Sequence, residues 1–456
     1  MKKETIAAIS TGMTDSGIGI VRISGDEAFD IADRIYTGKE KIKDAAANTI
    51  HYGHIKDGDD TVDEVLVMVM RAPHTFTGED TVEINCHGGS YVVRRVLETA
   101  LKNGCRAAEP GEFTKRAFLN GKMDLSQAEA VIDIITAENE YALKSSVSQL
   151  KGNIKNKIID IRNKIIYQTA FIESALDDPE HYSLDGYRDR LMECAQEIME
   201  ELKQLIRSSD NGRVIKEGIN TVIIGKPNAG KSSLLNVLSG YERAIVTDIE
   251  GTTRDILEEH VRLGDLSLNV TDTAGIRSTE DVIEKIGVEK AQEYARNADL
   301  IIYVADASRY LDENDEKILS IIRDKNTVIL LNKSDLDTVI TPEQMREKVP
   351  DAPVLSVSAK EEQGIRELED TVKKMFLKGS LSFNDQIYIT NARQKNALQD
   401  ALGSMEKVVQ GIRDGMSEDF YSIDLMDAYE SLGSITGDTV GDDLINEIFS
   451  KFCMGK

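Results

Sequence analysis

The chain has 456 residues, which at roughly 150 residues per domain suggests about three domains. Lys and Arg number 55 against 80 Asp and Glu, a net charge of −25 that excludes a protein gripping nucleic acid by overall charge, though not by a local basic patch. Hydrophobic residues make up 41% and charged residues 30%, enough apolar material for packed cores and too much for global disorder.

Cys86, Cys105, Cys194 and Cys453 are scattered, with no C-x-x-C pair, so a disulfide framework or zinc site is not expected and a reducing compartment fits. Glu4 interrupts the basic start, and the apolar run Ile6–Ile9 is too short for a signal peptide. No apolar stretch approaches the roughly 20 residues of a membrane span. The expectation is a soluble, cytoplasmic protein.

Residues 1–120 read as α+β. Strand-like runs fall at Thr5–Ile9, Ile18–Ile23, Thr49–Ile55, Val65–Met70 and Thr81–Asn85, and a helix at Ser90–Lys102. Ser126-x-x-Glu129 has capping-box spacing before an apolar-periodic run. Val131, Ile135, Tyr141 and Leu143 form one helical pattern, Ile154, Ile158, Ile161 and Ile165 a second, and Leu191, Cys194, Ile198, Leu202 and Leu205 a third. From about residue 218, strand-like runs alternate with helical ones at Thr221–Ile224, Leu266–Val270, Leu300–Val304, Val328–Leu331 and Val354–Val357, which implies a mostly parallel sheet. From about Asn391 the chain is helical again. The predicted architecture is multidomain. An α+β domain spans 1–120, and an all-α domain is split into 121–217 and 380–456. An α/β domain at 218–379 is inserted between its halves.

Gly225-Lys-Pro-Asn-Ala-Gly230-Lys231-Ser232 matches G-x-x-x-x-G-K-[ST] between a strand and a helix. Backbone N–H groups of such a loop cradle phosphates. Lys231 is placed for the β/γ oxygens and Ser232 for Mg²⁺. Asp272-Thr273-Ala274-Gly275 has the D-x-x-G form that supports Mg²⁺ and senses a γ-phosphate. Asn332-Lys333-Ser334-Asp335 follows a strand, and a carboxylate at Asp335 accepts from N1–H and the 2-amino group of guanine, a donor pair that adenine lacks. Ser358-Ala359-Lys360 follows the next strand, where guanine O6 would meet a backbone N–H. Together the four segments predict a Ras-like guanine nucleotide site.

Ile276 follows Gly275 where Ras-like enzymes carry or adjoin a water-orienting Gln, and an apolar side chain cannot orient water. Glu280, Asp281 and Glu284 are the candidate substitutes; each also suits a solvated loop and first helical turn. The segment Ile245–Asp255 is hydroxyl-rich and in switch I position, where a Thr binds Mg²⁺ once the loop orders. Asn228 offers a neutral oxygen to a monovalent cation, or is a turn residue.

Taken together, these residues resemble the MnmE (TrmE) family of tRNA-modification GTPases over the whole chain. The resemblance also rests on Gly19–Gly25, Phe76–Asp80, Val82-Glu83, His87–Gly89, Pro110–Phe113, Arg116–Asn120, Lys122, Asp124–Ala130 and Phe452-Cys-Met-Gly-Lys456. Met454 departs from the usual Ile of that tail and keeps its apolar character. The resemblance implies an N-terminal folate-binding and dimerisation domain, a split helical domain and an inserted P-loop G-domain. It implies a homodimer whose G-domains associate to stimulate hydrolysis. It also implies an FAD-dependent partner, MnmG (GidA), in a heterotetramer or larger assembly that modifies C5 of the wobble uridine of certain tRNAs. The carbon would come from 5-formyl- or 5,10-methylene-tetrahydrofolate and the amine from glycine or ammonium.

By the same resemblance Asn228, Thr247, Ile249 and Thr252 hold K⁺, Ser232 and Thr253 hold Mg²⁺, and Glu284 orients water. The nucleotide is lined by Asn228, Ala229, Gly230, Lys231, Ser232, Ser233, residues 247–253 (with Asp248, Glu250 and Gly251), Asp272–Gly275, Asn332, Lys333, Asp335 and Ser358–Lys360. Arg22, Glu83, Lys122 and Lys456 match folate contacts, and Cys453 matches a family cysteine. By spacing alone, Arg22, Glu83 and Lys122 are ordinary surface charges. Cys453 is not a prenylation site, because Gly455-Lys456 does not suit that box. His51 and His54 read as strand residues and His87 as a turn residue. Lys151, Lys155, Lys157, Arg162 and Lys164, with one acid at Asp160, give a local +4 on a helix. It would hold tRNA phosphate or an acidic partner, or be a solvated face. A regulatory GTPase acting in ribosome assembly is the alternative function.

Overall fold

The computed structural model describes residues 4–178, 180–240, 258–271, 298–376, 389–453 and 455. In chain order the strands are β1 Ile6–Ile9, β2 Ser16–Ser24, β3 Tyr36–Gly38, β4 Thr49–Asp57, β5 Asp60–Met70, β6 Thr81–Gly88, β7 Arg106–Ala107, β8 Ile219–Ile224, β9 Glu258–Leu263, β10 Leu266–Thr271, β11 Leu300–Asp306, β12 Thr327–Asn332 and β13 Val354–Ser356. The helices are α1 Ala28–Ile35, α2 Ser90–Lys102, α3 Glu112–Leu119, α4 Leu125–Ile135, α5 Glu140–Leu150, α6 Asn153–Asp177, α7 Tyr187–Glu217, α8 Lys231–Gly240, α9 Glu313–Ile322, α10 Pro342–Lys348, α11 Ile365–Phe376, α12 Ala392–Arg413, α13 Glu418–Thr436 and α14 Asp442–Ser450. The chain divides into two units. One comprises 1–136, 146–200 and 397–456; the other comprises 137–145 and 201–396.

The first unit contains a sheet ordered β3-β4-β5-β6-β2-β1-β7, antiparallel except where β1 meets β7. Alternation decides its faces. Val65, Val67 and Val69 of β5, with Val82, Ile84 and Cys86 of β6, point into a core shared with α1 and α2. The opposite face leaves Ile50 62%, Tyr52 58%, Leu66 48% and Ile18 61% exposed. The helical part forms by i, i+4 and i+7 spacing: α6 buries Ile154, Ile158, Ile161 and Ile165, and α13 buries Tyr421, Leu425, Ala428 and Leu432. These helices pack together although the whole second sheet lies between them in sequence.

Two expectations are corrected here. The N-cap of α4 is Asp124, not Ser126. Its carboxylate accepts from Gln127 N, and the Gln127 side chain accepts from Asp124 N, closing the capping box one helical start earlier. Ser126 is buried and donates to Asp124 instead. The pattern Val131–Leu143 is also not one helix. α4 ends at Ile135, α5 begins at Glu140, and Ile135 and Leu143 are exposed. Asn139 explains the break: its side-chain oxygen accepts from Ala142 N, as a cap does.

The second unit contains a sheet ordered β13-β12-β11-β8-β10-β9, parallel except for β9. Both faces are covered, so its strands read as continuous apolar runs. On β11, Leu300, Ile302 and Val304 join one core, and Ile301, Tyr303 and Ala305 join the other.

Candidate functional site

The strand order reverses around β8, where open α/β sheets build their ligand crevices. There β8 runs into the Gly225–Gly230 loop and α8 starts at Lys231, so the helix N-terminus points its free N–H groups at the loop. Two positions take left-handed backbone, Asn228 at φ 61° and Gly230 at φ 101°. A Cβ on Gly230 would lie 2.0 Å from Asn332 Nδ2, so only glycine fits. Lys231 folds back and donates to the carbonyls of Gly225 and Lys226 at 2.6 and 2.8 Å. Burial pushes its pKa down. Ala229 is buried; Asn228, Ser232 and Ser233 are exposed.

The second wall comes from the ends of β12 and β13. Asn332 is buried and donates to the Ala229 carbonyl at 2.8 Å, while its Oδ1 accepts from Ala359 N at 3.0 Å. One side chain thus ties the phosphate loop to the 358–360 loop. Ser358 donates to Asp335 Oδ1 at 2.7 Å, and that bond holds the exposed Asp335 carboxyl below its ordinary range. Lys333, left-handed at φ 64°, donates to Asp306 at 2.6 Å. Burial raises the Asp306 pKa, but Lys333 and Ser308 outweigh it and the net shift is downward. Lys360 is exposed. The structure therefore brings Asn228–Ser233, Asn332, Lys333, Asp335 and Ser358–Lys360 to one edge of the sheet. Thr247, Asp248, Ile249, Glu250, Gly251, Thr252, Thr253, Asp272, Thr273, Ala274, Gly275 and Glu284 lie outside the described residues, as do Met454 and Lys456.

Sequence reasoning missed Asp306, the acid that seats Lys333. It also missed Lys226, whose ammonium lies 2.5 Å from both Asp312 and Asp315. Asp306 ends an apolar strand that was read only as far as Val304. Lys226 fills a variable position of its motif.

A second cluster forms in the first unit. Arg22 on β2 and Glu83 on β6 are register partners and pair at 2.7 Å, with side chains 16% and 14% exposed. The Arg22 guanidinium also faces the rings of Phe76 and Phe113 at 5.9 and 5.6 Å. The C-terminal tail comes to the same place: the Gly455 carbonyl accepts from Ser10 Oγ at 3.2 Å and lies 3.5 Å from an Arg22 nitrogen. Gly455 is left-handed at φ 85°, and a Cβ there would lie 2.1 Å from the Ile9 carbonyl oxygen. Cys453 is exposed, and its carbonyl accepts from Gly111 N. Lys122 donates to the Pro73 carbonyl at 2.9 Å, at the start of the loop that carries Phe76. Residues 22, 83 and 455 share no sequence signal for this meeting; a guanidinium, a carboxylate and two aromatic rings are its chemistry.

The basic run is not one helix face: Lys151 lies in the turn before α6, and only Lys155, Lys157, Arg162 and Lys164 are on the helix. Arg162 is buried, ion-pairs with Asp438 and stacks on Tyr429 at 4.1 Å. Lys164 pairs with Glu197 at 2.5 Å, and Lys155 lies 3.8 Å from Asp124. Lys151 is exposed. His51 sits 3.0 Å from Glu40. His87 lies on β6 rather than in a turn and pairs with Asp63 at 2.8 Å, which raises its pKa. Among the described residues no cluster of His, Cys, Asp and Glu is placed to hold a metal, and no helix is long and apolar enough to cross a membrane.

Two family models match the chain: the GTP-binding protein TrmE N-terminus over residues 5–122 and the MnmE helical domain over residues 125–453. Among curated proteins, the tRNA modification GTPase MnmE of Lachnoclostridium phytofermentans is 57% identical over the full length of both chains. Those of Acetivibrio thermocellus and Thermoanaerobacter pseudethanolicus are 49% and 48% identical, over 100% and 99% of each chain respectively.

Proposed function

From the premise that this chain belongs to the MnmE (TrmE) family of tRNA modification GTPases, we propose that it hydrolyses GTP in the course of modifying the wobble uridine of certain tRNAs. The observation that carries the nucleotide half is the Asn332 bridge between the phosphate loop and the 358–360 loop. It joins the phosphate end of the site to its base end.

In this reading the γ- and β-phosphates lie over the Gly225–Ser232 loop, and Lys231 leaves its two carbonyl partners for phosphate oxygens. Asp335 accepts from the guanine edge while Ser358 holds its carboxylate. Glu284 orients the attacking water, whose oxygen bonds to the γ-phosphorus as the bond to the β–γ bridging oxygen breaks, giving GDP and phosphate. Asn228, with Thr247, Ile249 and Thr252, holds K⁺, and Ser232 with Thr253 holds Mg²⁺. The exposed oxygens of Asn228 and Ser232 suit such hard cations. Bound there, the two ions supply positive charge against charge developing on phosphoryl oxygens. Asp272–Gly275 reads the γ-phosphate.

Arg22, Glu83, Lys122 and Lys456 hold a tetrahydrofolate derivative, which supplies a one-carbon unit when bound. The Arg22–Glu83 pair beside Phe76 and Phe113 fits that ligand, because a pterin offers an amide edge and a ring face and its glutamate tail offers carboxylates. Cys453 belongs to the same proposed site. The domain division at residues 120, 217 and 379 belongs to the same proposal. So do the cytoplasmic location, the homodimer and the assembly with FAD-dependent MnmG. The apolar sheet face of Ile18, Ile50, Tyr52 and Leu66 supports the homodimer, since contiguous exposed apolar surface marks a contact.

Mass spectrometry of tRNA wobble nucleosides from a strain lacking the gene tests the reading. Unmodified uridine 34 supports it; normal modification refutes it and favours a role in ribosome assembly. GTPase rates in KCl and NaCl test Asn228: equal rates remove it as a cation ligand.

A further inference from the structure

One variable position of the phosphate loop is tethered to the rest of the fold. The Lys226 ammonium reaches Asp312 Oδ2 and Asp315 Oδ2, both at 2.5 Å. Asp312 is the N-cap of α9, so its position is set by the helix start, where it accepts from Asn314 N and Asp315 N. Asp315 is buried and accepts two further bonds, from the fully buried Tyr303 hydroxyl at 2.8 Å and from Asp312 N at 2.9 Å. Tyr303 belongs to β11, which is hydrogen-bonded to β8 in register Tyr303–Ile224. The Lys226 side chain is thus fixed by a strand neighbouring the loop's own strand and by a helix N-terminus.

The other end of Lys226 is the loop itself. Its carbonyl accepts from Lys231 Nζ at 2.8 Å and from Ala229 N at 3.3 Å. The residue that holds the phosphate-binding lysine in waiting is therefore the residue whose side chain is anchored.

We propose that Lys226 is a positioning residue for GTP hydrolysis: clamped by Asp312 and Asp315, it holds the phosphate loop in its binding-competent shape. Its ammonium faces the two carboxylates. Two carboxylates surround one ammonium, so the cluster offers no net positive charge to an anion. Its contribution is preorganisation. A loop released from the clamp spends less time competent, and apparent affinity falls by that fraction for GTP and GDP alike. The chemical step, once nucleotide is bound, is unaffected.

This inference rests on the guanine nucleotide reading, and the experiment separates the two. Labelled GDP binding and steady-state GTPase are measured on the full chain for wild type, Lys226→Gln, Lys226→Arg and Asp315→Asn. Positioning predicts that Lys226→Gln and Asp315→Asn both weaken GDP by about 3- to 10-fold and raise KM equally, with kcat changed by less than about twofold. Lys226→Arg, which keeps charge and reach, restores most of the loss. A purely electrostatic role predicts opposite signs, because Asp315→Asn removes a negative charge near the phosphates; tighter GDP binding by that variant overturns the proposal. So does a fall in kcat at unchanged KM, or no change in either variant. If Asp315→Asn does not fold, Tyr303→Phe removes one of the donors to Asp315 and is read for the same sign at smaller size. Failure of wild type to bind GDP would sink the nucleotide site itself, whereas normal binding with unchanged variants sinks the clamp alone.

Discussion

The Asn332 side-chain amide donates to the Ala229 carbonyl at 2.8 Å across 103 residues of chain. Both groups are buried. Removing the amide strands two buried backbone groups, the Ala229 carbonyl and the Ala359 N–H, each at a cost of about 1–3 kcal/mol. Asn332→Ala should therefore cost about 2–6 kcal/mol in stability, and it should weaken GDP binding by roughly 10-fold or more through the part of that cost that distorts the phosphate loop. Gly230→Ala drives a methyl into the same amide and imposes a left-handed alanine. The two changes damage one contact, so the double variant should lose clearly less than the sum of the single ones. Additive losses would show that the bridge is not shared.

Asp335→Asn should switch the base. An amide can accept from only one of the two guanine donors and turns its N–H₂ toward the other. We expect GDP affinity to fall by about 100-fold or more, by the logic of unpaired polar groups, and xanthosine diphosphate, with an acceptor at C2, to bind in its place. Competition of the two nucleotides against a labelled one checks this; unchanged guanine preference would remove Asp335 from the base contact.

The tail depends on one glycine. Gly455→Ala adds a carbon 2.1 Å from the Ile9 oxygen at φ 85°, where an L residue costs about 1 kcal/mol or more even in open space. The tail should leave Ser10 and Arg22. Carboxypeptidase should then trim the variant several times faster than wild type, with its melting temperature little changed. Folate affinity should drop in parallel. Equal trimming rates would mean that the tail is not seated by this contact.

The basic run at and before the start of α6 separates into two kinds of residue, and so should its variants. Arg162→Gln leaves Asp438 and Tyr429 without their cation and should cost about 2–4 kcal/mol in stability, less than a fully buried pair because Asp438 is half exposed. Its effect on the salt dependence of tRNA binding should be nil. Reversing Lys151 and Lys155 should leave stability within about 1 kcal/mol. If this segment meets tRNA phosphate, the reversal lowers the slope of log K against log salt by about one to two. An unchanged slope removes the patch from tRNA binding.

How legible all this was in the sequence differs by element. α2 was read to the residue, because apolar spacing and a glycine pair before Ser90 mark both pattern and start. The strands of the second unit were read within about two residues, because parallel strands covered on both faces are unbroken apolar runs. β9 was missed: Glu258, Glu259 and His260 are polar in a row, and Val261 and Leu263 alone are too few apolar residues to mark a strand. α1 and α3 were missed as well, each only eight residues long. The phosphate loop and the Asn332–Asp335 segment could be read because local spacing carries their chemistry. Arg22 and Glu83 could not, since the partnership comes from β2–β6 register and from a tail 433 residues away. Lys226 was illegible for a similar reason, as its partners are set by where α9 begins.

The bond between Ser10 and Gly455 spans 445 residues. During synthesis the N-terminal sheet emerges first, yet the tail that abuts Arg22 arrives only after the whole second unit has been made. Closing so long a loop costs entropy that grows as the logarithm of its length. Domains tend to fold as they leave the ribosome. If residues 201–396 collapse first, the free chain to be closed is much shorter. A chain ended before residue 442 would have its phosphate loop made and its Arg22 cluster without the tail. In this protein the order of translation separates the two chemistries in time: a nascent chain could bind nucleotide before it could seat its tail.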